Sequence, residues 1–79
     1  MTDPVVVDST GRRCPLPIVD LARAARDAAD GTEITLLADD PAAASDVAAW
    51  CAMRGQELVA TEGRGDGVSA YRVRVRRSA

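Results

Sequence analysis

The sequence of 79 residues contains no histidine, and all ten of its basic residues are arginine, so lysine is absent as well. Without histidine the chain offers neither a Ser-His-Asp triad nor a Cys-His pair. Without lysine it can form neither a Schiff base nor a P-loop. The two cysteines have no CxxC spacing, which disfavours both a zinc site and a secreted disulfide framework. A cysteine therefore remains the main candidate for chemistry.

Aromatic residues and net charge are also scarce: aromatics make up 3% of the chain and the formal net charge is -2. Base stacking needs more aromatic side chains, and phosphate binding is favoured by a positive charge. We therefore expect no direct contact with nucleic acid. The sequence shows neither a signal peptide nor an apolar run long enough to cross a bilayer. We therefore expect a cytoplasmic protein without membrane contact, without a cofactor or metal, and with a monomer as the simplest assembly.

The hydrophobic pattern predicts six elements in the order βαβαββ, within one domain over residues 1–79 that has a loose start at residues 1–4. Predicted strands cover residues 5–7, 33–38, 56–62 and 68–76, the first of them buried, and predicted helices cover residues 15–29 and 41–53. Connections of this length join parallel neighbouring strands by right-handed crossovers, which place both helices on the same side. The expected fold class is α+β: a two-layer α/β sandwich with a four-stranded mixed sheet, two helices on one face and the other face open.

Residues 12–17 read Arg-Arg-Cys-Pro-Leu-Pro, a stretch that folding alone does not explain. Proline fits the first turn of a helix, and the residue before a proline favours extended backbone. The pattern therefore predicts Cys14 at the N-cap, Pro15 at the first helical position and Pro17 at the third. Cysteine is a poor capping residue, and Pro17 lacks the N–H that a cap would bind. Capping therefore does not account for Cys14.

The predicted surroundings of Cys14 favour an anion at its sulfur. They comprise the positive end of the helix dipole, the N–H of Leu16, and the side chains of Arg12 and Arg13. If they lower the thiol pKa by about one unit from about 8.5, the thiolate fraction at pH 7 rises from roughly 3% to roughly 25%. The sequence thus favours a nucleophilic or sulfur-carrying cysteine over the alternative, a buried apolar cysteine that opens a helix.

The second cysteine is predicted to lie in the core, because Cys51 shares a helical stripe with Val47 and Trp50. Two parallel crossover helices place Cys14 at one end of the fold and Cys51 near the other, about 15 Å away. A disulfide needs Cα atoms roughly 4.4–6.8 Å apart. We therefore expect no disulfide between the two cysteines.

The acidic residues before and within the second helix are interpreted as capping charge. Asp40 is predicted as the N-cap, with Pro41 in the first turn, and Asp39 and Asp46 as helix-start charge. Residues 63–67, which include an Arg-Gly-Asp triplet, are interpreted as a flexible hairpin loop.

Arginines alternate with apolar residues along the last strand, at Arg72, Arg74 and Arg76. The alternation predicts that they line the open face of the sheet. A solvated face is the favoured interpretation. The alternative is a docking surface for an acidic partner or an RNA backbone.

Taken together, these motifs resemble the TusA/SirA-like sulfur-carrier family, whose signature is CPxP at the start of the first helix. The resemblance extends over residues 5–76. The positions that match the family pattern are Asp8, Gly11, Cys14, Pro15, Pro17, Gly31, Asp39, Asp40, Pro41, Asp46, Val47, Trp50 and Cys51.

The resemblance implies a βαβαββ sandwich in which Cys14 accepts sulfane sulfur as a persulfide and passes it on. The donor would be a cysteine desulfurase or rhodanese-like protein, and the acceptor a protein of tRNA thiolation, molybdenum-cofactor synthesis or other sulfur trafficking. Cys51 matches a position that is not the carrier. The chain would thus be a sulfurtransferase with low turnover on its own.

The predicted site consists of Cys14 as the catalytic residue and a supporting motif of Arg12, Arg13, Pro15, Leu16 and Pro17. Two other classes of function remain as alternatives. One is a thiol redox sensor, in which Cys14 is oxidised. The other is a non-enzymatic regulatory or binding module that uses the arginine-lined sheet face.

Overall fold

A computed structural model describes residues 4–77 and contains six elements in the predicted order. The elements are β1 (Val5–Asp8), α1 (Leu16–Arg26), β2 (Glu33–Ala38), α2 (Ala43–Arg54), β3 (Glu57–Gly65) and β4 (Val68–Arg74). Neither helix is long and apolar enough to span a membrane. Of the predicted loose start, residues 1–3 lie outside the described residues, and Pro4 is exposed before β1.

The four strands form one mixed sheet in the order β1-β2-β4-β3. β1 and β2 are parallel, as predicted, and β4 runs antiparallel to both of its neighbours. The prediction that β2 and β3, the strands joined through α2, are neighbours is wrong, because β4 lies between them. The inner position suits β4, since Tyr71 and Val73 are buried and both of its edges are hydrogen-bonded.

Both helices pack on the same face of the sheet, and the core lies between the helices and that face. Alternation along β2 buries Ile34, Leu36 and Ala38, as predicted. The core cluster of buried residues consists of Leu21, Ala25, Ile34, Leu36, Ala38, Ala43, Val47, Trp50, Cys51, Tyr71, Val73 and Val75. The edge strand β1 is not buried as predicted, because its outward face has no helix over it and Val6 is 66% exposed.

The helix ends differ in how well the sequence predicted them. α2 ends at Gly55, as expected, in the left-handed conformation with φ 69°. α1 ends at Arg26 and not at Ala29, because the side chain of Arg77 binds carbonyl groups in its last turn and just beyond it. This contact comes from the far end of the chain, where a helical pattern cannot reveal it.

The β3–β4 hairpin is tighter than the loop predicted over residues 63–67. β3 continues to Gly65, and only Asp66 and Gly67 form the turn, with φ 53° and 77°. Positive φ at both central residues is typical of the type I′ turn, which an Asp-Gly pair favours. The Arg-Gly-Asp triplet is therefore the end of a strand and the beginning of its turn.

The arginines of the last strand lie on the open sheet face, as the alternation predicted, but they are paired with glutamates. The nearest nitrogen–oxygen distances are 3.5 Å for Arg72 to Glu33 and to Glu62, 3.6 Å for Arg74 to Glu33 and to Glu57, and 2.6 Å for Arg76 to Glu57. Opposite charges across neighbouring strands stabilise the pairing of those strands. This face therefore presents mixed charges and not a cationic row.

Candidate functional site

Cys14 is exposed and lies in the turn that precedes α1. The helix begins at Leu16 with Pro15 as its capping residue, one position later than predicted. Cys51 is 3% exposed within the core and, like Cys14, is a free thiol. Cys14 is thus the accessible thiol of the pair, and the prediction that Cys51 lies in the core is confirmed.

The backbone amide expected to face the sulfur is occupied. The N–H of Leu16 donates to the carbonyl oxygen of Arg13 at 2.8 Å and closes a tight turn around Cys14. Because Pro15 and Pro17 have no N–H, the first residues of α1 offer the sulfur few donors. The expectation that the Leu16 amide stabilises an anion at Cys14 is therefore wrong.

Two aspartates from the loop before α2 hold the cysteine loop in place. Both carboxylate oxygens of Asp39 accept the N–H of Gly11, at 3.0 and 3.1 Å. One oxygen of Asp40 accepts the N–H of Cys14 at 2.7 Å, and the other accepts the N–H of Ala42 at 2.8 Å. A single carboxylate therefore joins the cysteine turn to the turn that opens α2.

Sequence reasoning found only half of this arrangement. It predicted Asp40 as the N-cap of the second helix, but the N-cap is Ala42 and the helix begins at Ala43. Asp40 instead accepts the N–H of Ala42 in the turn just before the helix. It did not predict the contact of Asp39 or Asp40 with the cysteine loop. The signal available was the pair of adjacent carboxylates before Pro41, since one carboxylate is enough to cap a helix.

Carboxylates also shift the pKa of the sulfur. A hydrogen bond with the Asp46 side chain raises the pKa of the Cys14 thiol, followed by partial desolvation and by the negative charges of Asp46 and Asp40. The expectation of a lowered thiol pKa is wrong, because Asp46 of α2 and Asp40 of the loop before it both act on the sulfur, and no arginine is among the groups that shift its pKa. Asp46 is thus a site residue that sequence reasoning interpreted only as helix-start charge.

The two arginines before Cys14 act on other groups. Arg12 lies 2.8 Å from Asp20 of α1, and the hydroxyl of Ser9 donates to the same carboxylate at 2.6 Å. Arg13 is exposed, and its charge contributes to the lowered pKa of Asp40, after the hydrogen bonds that Ala42 and Cys14 donate. Arg12 therefore anchors the loop to α1, and Arg13 acts on a carboxylate and not directly on the sulfur.

The rest of the predicted motif shapes the surface around the thiol. Pro17, in the first turn of α1, is buried, whereas Pro15 and Leu16 are exposed. An open groove of about 250 Å³ runs from Cys14 between the two helices. Its lining is Cys14, Pro15, Ile18, Asp46, Ala49, Trp50 and Met53. The thiol therefore lies at the edge of a mainly apolar groove with one carboxylate in it.

The structure is thus a two-layer α/β sandwich with an exposed thiol just before its first helix. The family model described as Sulfurtransferase TusA matches residues 5–77. The chain belongs to this TusA family.

Relatives agree with this assignment. A candidate sulfur carrier protein of Archaeoglobus fulgidus is 41% identical over 69 residues, which cover 87% of this chain and 90% of the relative. The sulfur carrier protein TusA of Pseudomonas paraeruginosa is 39% identical over 61 residues, or 75% of this chain and 77% of the relative. The crystal structure of the SirA-like protein from Desulfitobacterium hafniense has the same fold, with a TM-score of 0.80 at 19% identity over 92% of this chain and 99% of that chain.

Proposed function

We propose that this protein is a sulfur carrier that accepts sulfane sulfur as a persulfide on Cys14 and passes it to a partner protein. The observation that supports the proposal most directly is the contrast between the two thiols: Cys14 is exposed on a held turn, and Cys51 is enclosed in the core. Relatives named as sulfur carriers support the same role. The donor would be a cysteine desulfurase or a rhodanese-like protein.

The transfer balances without an oxidant. The Cys14 sulfur attacks the outer sulfur of a persulfide on the donor, a new S–S bond forms at Cys14, and the S–S bond of the donor breaks. The thiol proton of Cys14 ends on the departing donor sulfur. Because the chain has no histidine or lysine, the partner supplies most of the acid–base chemistry, so turnover of the isolated protein is low.

The second transfer repeats this step with the roles exchanged. An acceptor thiolate attacks the outer sulfur of the Cys14 persulfide. The outer sulfur stays with the acceptor, and the Cys14 sulfur leaves and becomes the original thiol again. Acceptors of this kind operate in tRNA thiolation, molybdenum-cofactor synthesis and other sulfur trafficking, and we place the protein in such a relay in the cytoplasm, where thiols stay reduced. The role needs no cofactor and no direct contact with RNA.

Intact-mass measurement after incubation with a cysteine desulfurase and free cysteine tests the proposal. We expect one added sulfur atom, which a thiol reductant removes. Cys14→Ala should gain none, while Cys51→Ala, the matched control, should load like the parent protein. Sulfur found on Cys51, or loading that persists in Cys14→Ala, would contradict the proposal.

The redox-sensor alternative has less support. Sensor cysteines have a low thiol pKa and a resolving cysteine nearby, whereas the Asp46 hydrogen bond raises the pKa of Cys14 and Cys51 is buried. The binding-module alternative relied on a cationic sheet face, and Arg72, Arg74 and Arg76 are each paired with glutamate. The binding-module alternative also gives no role to the exposed thiol of Cys14.

A further inference from the structure

Cys14 and Asp46 share a groove whose other lining residues are all uncharged. These residues are Pro15, Ile18, Ala49, Trp50 and Met53. Met53 is 78% exposed and Leu16, next to the groove, is 41% exposed. The surface around the thiol is therefore apolar and open, with the Asp46 carboxylate as its one charged group.

Any protein that reaches the Cys14 sulfur through this groove must also cover Asp46, because the thiol and the carboxylate line the same groove. Removing a carboxylate from water without a partner is unfavourable, and a small apolar contact does not offset that cost. A cation on the incoming protein removes this cost. The groove thus fits a partner segment that combines apolar side chains with an arginine or lysine.

Building on the proposed sulfur-carrier function, we propose that Asp46 keeps Cys14 as an unreactive thiol in the free protein, and that sulfur donors and acceptors release the thiolate by placing an arginine or lysine against Asp46. Once paired with this cation, the carboxylate no longer accepts the thiol hydrogen and no longer repels a negative sulfur. The proton leaves to solvent or to the partner's departing sulfur. Docking and activation are then the same event.

The other charged groups near the sulfur do not replace Asp46. Asp40, from the loop before α2, adds negative charge but is engaged by the N–H groups of Cys14 and Ala42. Arg13, on the cysteine's own loop, acts on Asp40, and Arg12 is paired with the α1 carboxylate of Asp20. No cation in the described part of the chain is therefore placed to neutralise Asp46.

The first test measures the alkylation rate of Cys14 by iodoacetamide against pH in the free protein and in Asp46→Asn. Removing the Asp46 charge should raise the thiolate fraction of Cys14, and weaker nucleophilicity offsets only part of that gain, since the Brønsted coefficient is about 0.4–0.5. We therefore expect faster alkylation near neutral pH, with the pH profile moved to lower pH. Asp27→Asn, which removes the same charge at the opposite end of α1, should match the parent. Unchanged or slower alkylation in Asp46→Asn would overturn the proposal.

A second test examines the charge that the groove prefers, using two methanethiosulfonate reagents, one with a trimethylammonium group and one with a sulfonate group. Relative to free cysteine, Cys14 should favour the cationic reagent several-fold, and Asp46→Asn should lose most of that preference. A preference for the anionic reagent would exclude a cationic partner. Labelling at Cys51 would report unfolding and so identify a damaged variant.

Both assays are independent of sulfur transfer. If Asp46→Asn behaves as expected but Cys14 accepts no sulfur from a desulfurase, the proposed function is wrong. The inference that Asp46 lowers the reactivity of the thiol is then still supported. If Cys14 loads sulfur but the two reagents react alike, the partner cation is excluded and the carrier role stands.

Discussion

The two helices of this protein begin with similar sequences and are stabilised in different ways. Each follows an X-Pro pair, Cys14-Pro15 in one case and Asp40-Pro41 in the other. Asp40 binds the N–H of Ala42 in its own turn and also the N–H of Cys14, whereas Cys14 caps nothing. The start of α2 is closed by its own turn, and the start of α1 is held by the loop before α2, so the Cys14 side chain takes no part in capping.

The helix ends repeat the contrast. α2 ends in Gly55, and the N–H groups of Gly55 and Gln56 both bind the carbonyl of Cys51. α1 ends without a glycine cap, and the Arg77 guanidinium binds the carbonyls of Ala25 and Arg26. Local residues thus close α2, and distant residues close both ends of α1. The element that presents the reactive sulfur depends on tertiary contacts.

Asp40→Ala should produce the largest loss of stability, because one carboxylate serves both helix starts. The variant loses the acceptor for Cys14 and for Ala42, whereas Asp40→Asn keeps one oxygen and one of the two bonds. Urea unfolding should therefore rank the parent above Asp40→Asn and Asp40→Asn above Asp40→Ala. Equal stability of the two variants would show that the shared bond does not hold the cysteine loop.

The same carboxylate predicts a pH dependence. Hydrogen bonds from Ala42 and Cys14 lower the pKa of Asp40 below its ordinary 3.8. A pKa lowered in the folded state contributes stability that is present above about 3.8 and is lost as pH falls through the folded pKa. The free energy of unfolding should therefore drop below about pH 4, and less steeply in Asp40→Asn. Asp8 and Glu57, whose pKa values are also lowered, contribute the remaining slope.

Arg77→Ala should have the next largest effect, because it removes the side chain that closes α1. Its nitrogens lie 2.6 Å from the carbonyl oxygen of Arg26 and 2.8 Å from that of Ala28. A cation bound at a helix C-terminus is worth about 1–2 kcal/mol in good geometry, and we expect a loss of this size in urea unfolding. Arg64→Ala, which removes the same charge from the exposed hairpin, is the control. A similar loss in both variants would refute the specific role of Arg77.

Gly55→Ala should have the smallest effect of the three, about 1 kcal/mol, since it forces a side chain into the left-handed region at φ 69°. Gly63 lacks such a φ, and a Cβ there would meet nothing within 4 Å. Gly63→Ala is thus the matched control and should be close to neutral in thermal unfolding. If Gly55→Ala and Gly63→Ala unfold at the same temperature, the end of α2 does not depend on its glycine.

The features that the sequence predicted well depend on neighbouring residues. Alternation identified β2 at its observed bounds of Glu33–Ala38, and a hairpin joins the last two strands as predicted, although its turn is shorter than the predicted loop. The proline-flanked Cys14 was found because its residue types are unusual for a helix start. The pKa shift of Cys14 was predicted in the wrong direction, because Asp46 lies on α2 and no spacing rule connects the two residues.

The sequence by itself determined the order of the elements, the inward and outward faces of the strands and the closure of α2, because each depends on residues within a few positions of one another. Only the tertiary structure decided the place of β4 between β2 and β3, the end of α1 under Arg77, and the chemistry of the sulfur. Asp40 lies 26 residues from the Cys14 amide that it binds. The pKa of the thiol depends on the charges that folding brings beside it, and those charges come from α2 and the loop before it.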